Sequence, residues 1–246
     1  MLKYVKYIER VTTMSESTHW VLTKIIGGHA ISVNFDTLLT MWLAMGVLLI
    51  GAIMIVKNAS VIPTKLQFIG ESIINYFSSI TAGSMGEKES KKHNPLILTL
   101  FMFILTANLV GQIPFKIVHL AHGELASPNN DINMTAAMAI VVAIYCMYYG
   151  VKVNGGKYFF KGWSMGELII TIIDTLELFV RPFSLALRLF ANILAGEIMI
   201  ATFVGMVACF LPLPFMLFEL FVALIQALVF ALLSSTYITM AVQEEG

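Results

Sequence analysis

Residues 187–197 read LRLFANILAGE. Every turn of this stretch offers an apolar helix face, yet it contains Arg188, Asn192 and Glu197. A guanidinium keeps its proton at any accessible pH, so Arg188 is a permanent charge in a greasy segment. The flanks are of the same kind. Ser164–Cys209 is 46 residues long, largely apolar and helix-compatible, and holds six charges: Glu167, Asp174, Glu177, Arg181, Arg188 and Glu197. As a helix it would extend for about 69 Å at ~1.5 Å per residue. A hydrocarbon core is only ~30 Å thick. The stretch is therefore either two spans, broken near Pro182, or one helix lying steeply tilted. After CFLPLP at 209–214 comes a second apolar segment, Phe215–Val242, interrupted by Glu219 and Gln226.

Charges at this density face protein or water, because a central charge costs roughly 2.5–3.5 kcal/mol on insertion scales. At ~100° per residue, Glu177 and Arg181 fall within about 20° of Arg188, and Asp174 within about 40°. Asn192 lies one turn beyond the arginine on the same side. Glu197 is on the opposite face. Acids offset along and around a helix, with a fixed cation between them, suit two aqueous half-paths that do not meet. Antiparallel packing about the CFLPLP turn would set Arg188 level with Gln226 and Glu197 level with Glu219.

The rest of the chain reads as membrane protein. It is 58% hydrophobic and 12% charged, and its fifteen basic residues balance fifteen acidic ones, so no bulk charge points to nucleic acid. Leu38–Val56, Leu96–Phe115 and Ile132–Val151 are uncharged runs of 19, 20 and 20 residues. Each is long enough to cross a bilayer. Between the first two, Ile62, Leu66, Ile69, Ile73, Phe77 and Ile80 recur at helical spacing opposite Lys65, Gln67, Glu71, Ser72 and Asn75, the pattern of an amphipathic surface helix. The polar run GEKESKKHN follows as a connecting loop. Lysines gather at 57, 65, 88, 91 and 92 and again at 152, 157 and 161, whereas Lys116–Asp131 has one, which puts the lysine-rich side inside. Lys3, Lys6, Arg10 and Lys24 at the outer N-terminal segment oppose that rule without outweighing it. MLKYVKYIER lacks the h-region of a signal peptide. Cys146 and Cys209 read as small buried hydrophobes, and HLAHGE at 119–124 as a hydrated outer loop without metal-site spacing.

The expected fold is thus an all-α membrane protein of one domain spanning 1–246. It comprises an outer segment 1–37, ordinary spans at 38–56, 96–115 and 132–151, a surface helix and polar loop at 61–92, and a long tilted two-helix hairpin at 164–242.

LRLFANILAGE, preceded by RPFSLA and followed by FELFVALIQALVFALLSSTYI, resembles the a subunits of F-type ATP synthases, the stator partners of the rotating c-ring. NPLILTLFMFILTANLVGQIPF and SPNNDINMTAAMA extend the resemblance over Asn94–Ile238. It implies that Arg188 is the family's essential arginine and that Asn192, Glu197, Glu219 and Gln226 are polar positions of the hairpin facing the c-ring. Asp131 and Asn133 match a pair near the outer entrance. Glu177 or Asp174 matches the acid of the inner exit. Many members carry a histidine at one of the positions of Glu197 and Glu219, and this chain has glutamate at both. The resemblance therefore leaves open which of the two relays the ion, and whether the ion is H⁺ or Na⁺. It implies a non-catalytic subunit without cofactor or metal, partnered by the c-ring, peripheral-stalk b subunits and lipid, in a bacterial plasma membrane or an organelle inner membrane. No nucleotide-binding loop is present, so ATP chemistry belongs to other subunits. A secondary ion transporter and a purely structural membrane subunit are the alternatives. The first would usually show inverted repeats, and the second would not need charges along an apolar hairpin.

Overall fold

A computed structural model describes residues 21–26, 29–57, 59–112, 128–158, 165–206 and 212–242. The HLAHGE segment, Cys209 and the first twenty residues lie outside these. Among the described residues, six α-helices form the body: α1 Phe35–Lys57, α2 Lys65–Met85, α3 Glu87–Gln112, α4 Ile132–Asn154, α5 Met165–Met206 and α6 Pro212–Val242. The all-α membrane fold expected from the sequence is what is found. One element was not expected: a two-stranded antiparallel ribbon, β1 Val21–Ile26 and β2 His29–Asn34, leads directly into α1.

Among the described residues, four helices are long and apolar enough to cross a membrane, at 37–57, 87–112, 132–154 and 214–242. The second is longer than the uncharged run, because the polar run at 86–94 is no loop. Gly86, at φ +82°, turns the chain after α2, and α3 starts at the next residue. Glu87 and Glu89 in its first turn complement the positive helix N-terminus. Ser90, His93 and Ile97, three and four residues apart, are all buried, so the inward face of this turn is polar and invisible to a hydrophobicity pattern. Thr81 on α2 lies 2.6 Å from Ser90 and donates to Asn94 Oδ1 at 2.8 Å, while Asn94 Nδ2 donates to Ser78 at 2.7 Å. These bonds lock α2 and α3 as a tight hairpin. The apolar stripe of α2 divides accordingly: Phe77 stacks on Phe101 at 4.8 Å, whereas Leu66 and Ile69 stay exposed.

The core lies among α3, α4, α5 and α6, built from Ile104, Val142, Leu185, Leu189, Ala227 and Phe230 with their neighbours. α1 joins through small residues, Ala44 against Ala107 and Val110, and presents most of its surface outward. α5 runs unbroken through Pro182 for 42 residues. That is ~63 Å of helix, so of the two sequence alternatives the single helix is realised, and a ~30 Å core accommodates it only with a steep tilt. α6 starts with Pro212 in its first turn, where a missing N–H costs no hydrogen bond.

Candidate functional site

The polar residues of α5 and α6 meet along the seam between the two helices. Asn192 Nδ2 donates to Gln226 Oε1 at 2.9 Å. Further toward the turn, Glu219 is buried against Gly196, where a Cβ would lie 2.6 Å from its Oε1 and 2.9 Å from its Cδ. At the other end Arg181 stacks over the Tyr237 ring at 5.4 Å. The helices are antiparallel, as the sequence suggested. The register is not the one expected for the arginine. Gln226 is level with Asn192, one turn past Arg188, and the position opposite Glu219 is Gly196. The reason is steric: Glu219 needs the room that only a residue without a side chain provides. The side chain of Glu197 is outside the described residues.

Arg188 itself is exposed. Among the described residues it has no hydrogen bond or ion pair, although Leu185, Ala186, Leu189 and Ile193 around it are buried in the core. Its helix thus turns its apolar side inward and presents the guanidinium outward. Glu177, one of the two acids expected at an inner exit, forms an ion pair with Arg181 one turn on. Asp174, the other, is half-buried. The shared wheel angle of Glu177, Arg181 and Arg188 therefore resolves into two environments, a paired acid and base beside Tyr237 and a lone exposed cation.

Asp131 and Asn133 are brought together at the start of α4. Asp131 Oδ1 accepts from the Asn133 backbone N–H and from its side-chain amide, both at 2.9 Å, which makes Asp131 the helix N-cap. Its Oδ2 accepts from Asn34 at 2.8 Å, tying the ribbon to α4. Between this cap and the hairpin stands a polar link that the sequence reading passed over. Asn129 Nδ2 donates to Asn108 Oδ1 at 2.7 Å, and Asn108 Nδ2 donates to the Ala223 carbonyl on α6 at 3.3 Å. Asn108 and Asn129 are both buried. The only signal available was an asparagine inside an uncharged span, which intramembrane packing alone also explains. Asn129 Oδ1 and Gln226 Nε2 are buried without a hydrogen-bond partner among the described residues. An unmet buried amide costs about 1–3 kcal/mol.

Residues 38–239 match the family model described as "ATP synthase A chain". The chain belongs to this family. It is also 38% identical to "ATP synthase subunit a" of Gloeobacter violaceus (strain ATCC 29082 / PCC 7421) over 215 residues, covering 87% of this chain and 86% of the relative. Family membership makes the chain an integral component of the ATP synthase membrane sector with a part in ion translocation. The match takes in α3 to α6 and with them Arg188, Asn192, Glu219, Gln226 and the Asp131 cap.

Proposed function

We propose that this chain is the non-catalytic stator subunit that loads and unloads carboxylates on a rotating c-ring through two offset half-channels, with Arg188 as the electrostatic gate between them. The observation that carries this reading is Arg188, exposed midway along α5 with no counter-charge among the described residues. A membrane-level charge is stable only when paired or wetted, so a carboxylate on a neighbouring subunit is the natural partner. Such a carboxylate must be neutral against lipid and ionised as it passes the stator. A permanent guanidinium favours the ionised form and cannot itself relay a proton, so it separates the two paths.

The outer path runs by way of Asp131, Asn133, Asn129 and Asn108 to Glu219, Gln226 and Asn192. The buried Glu219 carboxyl and the buried amides of Asn129 and Gln226, each with an amide atom lacking a partner among the described residues, support this route. Glu197, one residue from Gly196, belongs to the same end of the hairpin. The inner path leaves by Glu177 and Asp174 on the lysine-rich side, where Arg181 holds Glu177 in place. Peripheral-stalk b subunits complete the stator, and a bacterial plasma membrane fits the cyanobacterial relative. An oligomeric ring co-purifying with the solubilised chain is the expected result. A chain that transports ions alone, or a complex that synthesises ATP normally with Arg188→Ala, would return the choice to a transporter or a structural subunit. Stimulation of ATP hydrolysis by Na⁺ at neutral pH separates Na⁺ from H⁺ as the translocated ion.

A further inference from the structure

At the lysine-rich end of α3 and α4, two ammonium groups from different helices converge on one aromatic ring. Lys92 Nζ lies 4.9 Å from the Tyr149 ring centroid and Lys152 Nζ lies 5.7 Å from the same centroid. Lys152 is also 5.9 Å from the Tyr148 ring. The shared ring is held in place. His93, fully buried, packs edge-on against Tyr149 at 4.7 Å and hydrogen-bonds through Nδ1 to the Tyr145 hydroxyl at 2.9 Å. Lys92 has one acidic neighbour, Glu89, at 2.9 Å. Lys152 has no ion pair among the described residues, and exposed Lys88 and Lys91 add to the local positive charge.

Below this cluster, α4 exposes an unbroken apolar stripe, Ile140, Ile144, Tyr148 and Val151. From Val151 to Ile140 the stripe covers about 16 Å, the depth of one leaflet, and the exposed face continues beyond it through Ala137. A cationic cradle at the interface, continuous with an exposed apolar face, matches one molecule with an anionic head and long tails.

We propose that Lys92, Lys152, Tyr148 and Tyr149 form a site for the phosphate headgroup of an anionic phospholipid whose acyl chains lie along the Ile140–Val151 face of α4. The two lysines hold the phosphodiester, and the tyrosines sit at headgroup level, where amphipathic rings are at home. Each lysine near an anionic lipid surface contributes about fivefold in affinity, so the pair contributes roughly 30-fold.

The test uses the intact complex in nanodiscs containing phosphatidylglycerol or phosphatidylcholine with a diazirine on the acyl chain. After illumination, labelling is mapped by peptide mass spectrometry. Phosphatidylglycerol should label the 140–152 segment several-fold more than phosphatidylcholine. The excess should vanish in the Lys92→Gln/Lys152→Gln variant, persist in Lys92→Arg/Lys152→Arg, and resist excess inorganic phosphate. Equal labelling by the two lipids, or undiminished labelling of the Gln variant, overturns the proposal. Displacement by inorganic phosphate would make this a site for a dissolved anion, and absence of labelling by either lipid would mean that a protein covers the face. Either result also overturns it.

Discussion

At the scale of single residues, the hairpin depends on one side chain that is charged and one that is missing. Permanent charge is what distinguishes arginine from lysine in a desolvated place, since a buried ammonium can shed its proton and a guanidinium cannot. Arg188→Lys should therefore fail to support normal ion-driven ATP synthesis, as should Arg188→Ala, in membrane vesicles energised by respiration. Wild-type synthesis rates in the Lys variant would contradict the gate. Gly196 is the missing side chain. A methyl group there would meet the Glu219 carboxyl at 2.6 Å and force it from its buried position. Gly196→Ala should slow ATP-driven ion pumping severalfold while the assembled complex still forms. Adding Glu219→Asp, one methylene shorter, should restore part of the rate. If the double variant pumps no better than Gly196→Ala alone, steric displacement of the carboxyl is the wrong cause. Glycine at 196 was unreadable in the sequence. A small residue in an apolar helix is common, and only the facing carboxylate gives it meaning.

At the scale of elements, the helices themselves were legible and their seating was not. Long uncharged runs announce spans because lipid offers the backbone no partner, and α1, α3 and α4 follow from that alone. The first turns of α3 were lost because their inward residues, Ser90 and His93, are polar and bond to Thr81 and Tyr145 rather than packing by apolar contact alone. The partner of Gln226 was misjudged by a turn and that of Glu219 by one residue, for a different reason. Several polar residues on each helix can be matched at more than one spacing, and composition does not say which contact the available room permits. The observed register predicts a definite cross-linking pattern in a background lacking Cys146 and Cys209. Asn192→Cys with Gln226→Cys should be joined readily by a short bifunctional thiol reagent, since the tips of these side chains touch at 2.9 Å. Arg188→Cys with Gln226→Cys, a turn away from that contact, should be joined less. The opposite pattern would restore the register in which the arginine stands beside the glutamine.

At the scale of the whole molecule, Glu177 and the Glu219 site at Gly196 lie about 28 Å apart along α5 at ~1.5 Å per residue, and no chain of described hydrogen bonds joins them. Glu219 sits near the turn between α5 and α6, while Glu177 sits with Arg181 and Tyr237 toward the lysine-rich side. Between them the core closes around Leu185, Leu189 and Phe230, each fully or almost fully buried. Apolar packing of this kind excludes water, so among the described residues this region separates the two ends. On the proposed function, an ion crosses by leaving the chain at Arg188 and returning after a rotor step. A charge moving down a potential of ~100 mV yields about 2.3 kcal/mol, and that energy reaches the rotor only if the paths stay separate. Membrane-impermeant thiol reagents give the measurement. In a cysteine-free background, Glu219→Cys should react from the outer side of sealed vesicles and Glu177→Cys from the inner side. Leu189→Cys, in the closed region between them, should react from neither. Reaction of both acid positions from a single side, or ready labelling at position 189, would mean one continuous pore. The gate would then have nothing to divide.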